Sequence, residues 1–238
     1  MEKFGLNPEN PNYLRALKNA YRNPLRVGPP RWSVGEIPPD ATTALLERKG
    51  KSHVGISERT QLTGLAAVAA DQSFLDEIGA LENLEHLDFR WPMRAPDLSP
   101  LRNLKKLRVL RMDSCSKVTD FGPLAEMPAL ENLQIENAQH LYEIDWIVPL
   151  KSQLKVLGLQ GSVSKDQRIA SLSPLRGFAI EAIFLVSAMI KDKSLDALTT
   201  CPNLHLFDGA RCAPRHEFEA LERAHPDMLC GWFDPERW

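Results

Sequence analysis

The chain has 238 residues and a mass of 26.8 kDa, with 25% of its residues charged and 43% hydrophobic, a mixture that suits a folded globular protein and excludes a disordered one. Its 29 Lys and Arg against 31 Asp and Glu leave a net charge of −2, so no overall field draws it to nucleic acid or to an anionic membrane. The one strong bias is leucine, at 34 residues or 14%.

The chain opens Met1-Glu2-Lys3-Phe4 with no apolar run that marks a secretion signal. Over residues 1–60 the prolines are dense, seven of the 18 falling in the first 40 residues, and much of this arm is expected to be extended or turning. Tyr13 to Arg22 reads as a short helix with Leu14, Leu17 and Tyr21 on one face, expected to dock on the first repeat cycle and hide its edge. Ala44 to Lys49 begins a second capping element, with His53 to Ser57 as its strand. The arm carries 10 Lys and Arg against 6 Asp and Glu, net +4, while the remainder is net −6. Tyr13, Arg15, Lys18, Tyr21, Arg22 and Arg26 would be the residues of a nucleic-acid contact, but the charge is modest and a solvated cap face is the preferred reading.

From Leu101 onward, apolar residues fall on every third position with one step of two in each cycle: Leu101, Leu104, Leu107, Leu110, Met112, Cys115, Val118, Phe121 and Leu124, then Met127 through Leu150 in the same rhythm. Neither a helix nor a regular strand has this period. The step of two (Leu110-x-Met112, Leu133-x-Ile135) is a short strand with alternate side chains inward. The steps of three suit tight 3₁₀-like returns. Matching the second inward strand position gives Phe89, Met112, Ile135, Leu159, Leu185 and Gly209, at intervals of 23, 23, 24, 26 and 24 residues, with a weaker cycle at Leu62, Leu65 and Ala67 ahead of them. Such self-similarity is a solenoid's signature, in which each cycle buries its apolar edge against its neighbours.

The run Leu101-x-x-Leu104-x-x-Leu107-x-x-Leu110-x-Met112-x-x-Cys115, closing with Val118-Thr119-Asp120-Phe121-Gly122-Pro123-Leu124, resembles a leucine-rich repeat of the short subclass seen in bacterial internalins and in a protein phosphatase regulatory subunit. Asp97-Leu98-Ser99-Pro100-Leu101 and Ser171-Leu172-Ser173-Pro174-Leu175 share its ending. The resemblance implies an α/β solenoid: a curved horseshoe with a parallel sheet on its concave face and 3₁₀ or irregular segments behind. Residues 1–60 would be the arm and N-terminal cap, 61–213 about six repeats, and 214–238 a C-terminal helix-strand cap. The family's asparagine, three residues after the second strand leucine, is replaced here by Pro92, Cys115, Ala138, Ser162, Ala188 and Cys212. An irregular horseshoe held by apolar stacking is therefore expected. In the C-terminal cap, Phe218, Leu221 and Ala224 lie on one helix face, Pro226 closes it, and Met228, Cys230 and Trp232 alternate as a last strand with Trp232 covering the final cycle.

The longest largely apolar stretch, Phe178 to Ile190, has 13 residues broken by Glu181 and Ser187, against about 20 for a membrane span. Four cysteines, Cys115, Cys201, Cys212 and Cys230, have no paired spacing and fit a reducing compartment, so a cytoplasmic protein is expected. Phosphate loops, nucleophile elbows and metalloprotease helices do not occur. Cys212, His216, His225 and Cys230 make the best zinc-ligand set and hence a zinc-enzyme alternative, outweighed by their roles as repeat-core and helix-end residues. No cofactor or metal is expected, and His86-Leu87-Asp88 with Arg90 lacks the enclosed pocket of a catalytic trio.

Strand alternation instead assigns an outward row on the concave face. It comprises His86, Asp88 and Arg90, then Val109, Arg111 and Asp113, then Asn132, Gln134 and Glu136, all mostly polar. Beyond them come Val156, Gly158 and Gln160, then Ala182, Phe184 and Val186, then Leu206, Asp208 and Ala210, largely apolar. Phe184, Val186 and Leu206 read either as an exposed apolar anchor or as a patch covered by the C-terminal segment. The expected function is a non-enzymatic, monomeric module that binds a partner protein on this face, as an intracellular inhibitor or immunity-type protein or a regulatory scaffold. The arm as a nucleic-acid contact is the alternative.

Overall fold

The computed structural model describes residues 4–238. Strands recur once per cycle: β1 (Thr43–Glu47), β2 (Gly64–Val68), β3 (His86–Arg90), β4 (Val109–Asp113), β5 (Asn132–Glu136), β6 (Val156–Gln160), β8 (Ala182–Leu185), β10 (Leu206–Gly209) and β11 (Leu229–Cys230). They form one open, entirely parallel sheet in that order. The ladder starts earlier than the repeat pattern marked, and its last strand is shorter than expected. It begins at Thr43, and residues 53–57, expected to be a strand, are turn and 3₁₀ structure instead. At the far end only Leu229 and Cys230 pair, after which Gly231–Phe233 turn away.

Register follows the predicted phase. Leu87 pairs with Leu110, Leu110 with Leu133 and Leu133 with Leu157, while Phe89, Met112, Ile135 and Leu159 stack in the same way. All of these face one continuous core and are fully or almost fully buried. Behind the sheet the chain returns through short 3₁₀ turns at Ser99–Asn103, Gly122–Glu126, Asp145–Leu150 and Ser173–Leu175. Pro100, Pro123 and Pro174 sit in the first turn, where a missing N–H costs no hydrogen bond. Three returns carry α-helix: α2 (Gln72–Ile78), capped by the Asp71 carboxylate accepting from the Phe74 amide at 3.1 Å, α3 (Asp196–Thr199) and α4 (Arg215–Ala224). Trp146, on one return, stacks on Phe121 with ring centroids 5.8 Å apart.

The replaced asparagine has a substitute in the longest cycle. That cycle adds a short strand, β7 (Gln167–Ile169), which pairs in parallel with β9 (Ala188–Ile190) of the next cycle as a separate sheet. The buried Gln167 side chain accepts from the Ala138 amide at 3.0 Å and donates to the Leu141 carbonyl at 2.6 Å. A side chain from one cycle thus satisfies the turn backbone of its neighbour, where Ala138 itself offers nothing.

The C-terminal cap closes the solenoid with aromatic contacts. Phe218 of α4 meets Phe207 edge-on at 5.6 Å and Trp238 at 5.5 Å, and Trp232 donates its indole N–H to the Gly209 carbonyl at 2.9 Å. Among the described residues no helix is long and apolar enough to cross a membrane.

The N-terminal helix forms where its periodicity places it, α1 (Tyr13–Arg22), with Leu17 and Tyr21 buried and Leu14 45% exposed. Its docking differs from the expectation. Instead of hiding the first cycle's edge, α1 lies over the concave face at the other end of the sheet, packed with Val156, Ala182, Phe184 and Leu206 as a second, smaller core. The physical reason is the chain's own asymmetry: the apolar outward residues are in β6, β8 and β10, and only burial against an apolar helix face removes them from water.

Candidate functional site

The concave face divides into two halves. Over β6, β8 and β10, Phe184 and Leu206 are fully buried beneath Leu17 and Tyr21, so Phe184 is not the exposed anchor of one expectation, and its cover is α1 rather than the C-terminal segment of the other. Val186, just past the end of β8, stays 37% exposed. The Arg22 guanidinium stacks over the Phe184 ring at 4.6 Å, and Lys18 pairs with Asp208 at 2.8 Å. Phe4 adds an edge-on contact to Tyr21 at 4.9 Å.

A chain of buried amides ties the end of α1 to the sheet. Asn132 Nδ2 donates to the Tyr21 carbonyl at 2.8 Å, Gln134 Nε2 donates to Asn132 Oδ1 at 3.0 Å, and Gln160 Nε2 donates to Gln134 Oε1 at 3.3 Å. Arg22 Nη2 closes the circuit by donating to Gln160 Oε1 at 3.1 Å. The sequence placed Asn132 and Gln134 among the partner contacts; the structure gives their side-chain amides intramolecular partners. Gly158 is what lets Gln134 lie flat, since a Cβ there would sit 2.1 Å from Gln134 Oε1 and 2.8 Å from its Cδ. These amides are buried, so each link satisfies a group that would be costly to leave unpaired.

The other half, over β3, β4 and β5, is partly open: His86, Arg90, Arg111, Asp113 and Glu136 keep some exposure, whereas Asp88, Val109, Asn132 and Gln134 are buried. A groove there is lined by Val68, Asp88, Arg90, Trp91, Arg111 and Asp113, with Gln134, Glu136 and Gln160 toward α1. Asp88 is buried and clamped by Arg90 (Nε to Oδ2, 3.0 Å) and Arg111 (Nε to Oδ1, 3.7 Å). Asp113 and Glu136 are register partners on adjacent strands, so their carboxylates share one side of the sheet. Burial, and next the Asp113 charge, hold the Glu136 carboxyl above its ordinary range, while Arg111 and Arg22 oppose the shift. Trp91, 66% exposed at the end of β3, projects its large apolar surface beside this charged row. Trp91 lies one residue beyond β3 and so falls outside the strand alternation that picks out the outward row.

His86 stands at the start of β3, at the edge of a cavity between the sheet and α1 that also touches Tyr21, Val109 and Asn132. Burial pushes its pKa down to about 4, against the pull of Asp88, and among the described residues its buried Nε2 has no hydrogen-bond partner and no carboxylate orients the ring.

The remaining candidate residues do not converge. Among the described residues no group of three or more His, Cys, Asp or Glu side chains is placed to hold a metal ion. The ring Nε2 of His225 meets the Leu198 carbonyl at 2.9 Å, the His216 side chain is exposed, and burial pushes the Cys212 and Cys230 thiols up to about 12 and 11. Of the basic arm residues, Tyr21 is buried and Lys18 and Arg22 face Asp208, leaving Arg15 and Arg26 exposed.

No protein-family model and no curated protein matches the chain. Among solved structures, an internalin of Listeria monocytogenes is similar with a TM-score of 0.52 at 19% identity, over 69% of this chain and 45% of that one. A leucine-rich-repeat protein of Leptospira interrogans is similar with a TM-score of 0.53 at 17% identity, over 92% of this chain and 56% of that one. This chain thus spans about half the length of both structures. Repeat period, parallel register and these likenesses agree: the chain folds as a leucine-rich-repeat solenoid.

Proposed function

We propose that the protein is a non-enzymatic interaction module that takes a partner protein on the open half of its concave face. The observation that carries this reading is the row of Asp88, Arg90, Arg111, Asp113 and Glu136, held on rigid parallel strands beside the exposed Trp91. Such a row matches charge for charge with a partner's surface, and an exposed tryptophan at its rim is the kind of side chain that anchors interfaces. Recognition then rests on shape and charge with no covalent step, as fits an inhibitor or immunity-type protein masking its target, or a regulatory scaffold. We place the module in a reducing, cytoplasmic setting, in keeping with four unpaired cysteines.

The test uses the full chain as bait. A protein retained by the wild type is expected to be lost with Arg111→Glu and with Trp91→Ala, and kept with Arg176→Glu on the back of the solenoid. Equal retention by all four baits would overturn the reading, provided circular dichroism shows each folded.

A further inference from the structure

The covered half of the face is occupied by a segment that the sheet does not need for its own hydrogen bonding. β8 pairs with β6 on one side and β10 on the other without any help from α1, which lies above them and is held through side chains, with Asn132 of β5 and Gln160 of β6 binding its last turn. The helix ends at Asn23 in the left-handed region (φ 43°), and the chain next joins the sheet at Arg31, which bridges to Leu46. Between them run residues 24–30, which include Pro24, Pro29 and Pro30 and make no backbone hydrogen bond to another described residue. Leaving the face therefore breaks no strand pairing and bends only this short tether. What it uncovers is an apolar floor of Val156, Ala182, Phe184 and Leu206, flanked by Asp208 and Gln160 and continuous with the open groove through Gln134 and Gln160.

The occupant spells out the chemistry that the floor accepts. Leu17 and Tyr21, four residues apart on one helical face, fill the apolar floor, and the cation after each, Lys18 and Arg22, meets Asp208. We infer that this half is a receptor groove for an amphipathic helix of a partner protein, one with an aliphatic and an aromatic residue four apart and a cation after each. α1 is the tethered stand-in that such a helix displaces. The inference rests on the partner-binding reading above and extends it: the partner engages the charged open half while its helix takes the place of α1.

The probe is a fluorescent peptide of residues 9–26, titrated by anisotropy into the full chain and into the full-chain Leu17→Asp/Tyr21→Asp variant, whose arm no longer seats. Saturable binding to the variant, at least tenfold weaker binding to the wild type, and none by a peptide carrying the same two substitutions are expected. No binding to a variant that still unfolds cooperatively, or equal binding to both chains, would overturn the inference. Should the variant fail to fold, hydrogen exchange on the wild type decides instead: α1 amides are expected to exchange at least tenfold faster than those of β6 and β8, and equal protection would overturn it. A concentration-dependent wild-type dimer that Leu17→Asp/Tyr21→Asp abolishes would assign the groove to a second copy and overturn the choice of occupant. Neither probe nor variant touches Arg111 or Trp91, so failure here is distinguishable from failure of the open-half reading.

Discussion

The two halves of the concave face share one backbone ladder and differ in what their strands point outward. β3, β4 and β5 present mostly charges and amides, which water solvates well, and that half stays open at Arg90, Arg111, Asp113 and Glu136, with Asp88, Val109, Asn132 and Gln134 buried. β6, β8 and β10 present Val156, Ala182, Phe184 and Leu206, and burying even one such Phe or Leu is worth about 1.5–3 kcal/mol. A helix with Leu17 and Tyr21 on one face covers them. In this solenoid the need for a cover is set strand by strand, by outward polarity, while the inward residues stay uniformly apolar.

The strongest way to erase the difference is to damage what both halves share. Leu110→Ala, in the main core, is expected to cost about 2–5 kcal/mol and to lower the stability of the whole ladder, read by denaturant unfolding. Phe184→Ala acts on the covered half alone. It is expected to cost about 1.5–3 kcal/mol and to raise hydrogen exchange in residues 13–22 while β3 and β4 stay protected. Protection lost equally everywhere would show the two cores to be one unit.

Gly158→Ala probes the seam. The added Cβ displaces Gln134 and breaks the amide chain, with an expected cost of about 1–3 kcal/mol for the groups left unsatisfied. A double-mutant cycle with Gln134→Ala should show strong non-additivity, and simple additivity would remove the amide chain from the account.

Acidity separates the halves more gently. His86 has its folded pKa depressed to about 4, so the unfolded chain takes up a proton first as pH falls below the ordinary histidine range near 6.5. That residue's effect is to lower stability progressively between about pH 6.5 and 4, a slope that His86→Gln should flatten. Glu136 has the opposite sign. Its raised folded pKa is a penalty at neutral pH that vanishes on acidification, so Glu136→Gln should slightly stabilise the protein at pH 7. The smallest stability effect belongs to Trp91→Ala, expected within about 0.5 kcal/mol because the side chain is 66% exposed, even as it abolishes partner capture.

Much of this was legible from local pattern. The inward residues Leu87, Leu110, Leu133 and Leu157 were found from spacing alone, since strand alternation operates over two residues and the turn rhythm over three. The same alternation marked Phe184 and Leu206 as outward and apolar, and the i, i+4 spacing of Leu17 and Tyr21 marked a helix with one apolar face. Joining the two surfaces was beyond periodicity, which gives a face but no address. Trp91 is not reached by that alternation, because a rule for strands says nothing about the residue that follows one.

The coil, its phase and the polarity of each outward position were therefore determined by the sequence itself, because they arise from interactions a few residues long repeated cycle after cycle. Which element covers the apolar half, and which half remains open, was decided only in three dimensions. Lys18 and Asp208 lie 190 residues apart and meet because the solenoid's curvature and a proline-bearing tether bring the helix over the last strands. Contacts of that separation depend on the whole path of the chain, and no short stretch of sequence encodes that path.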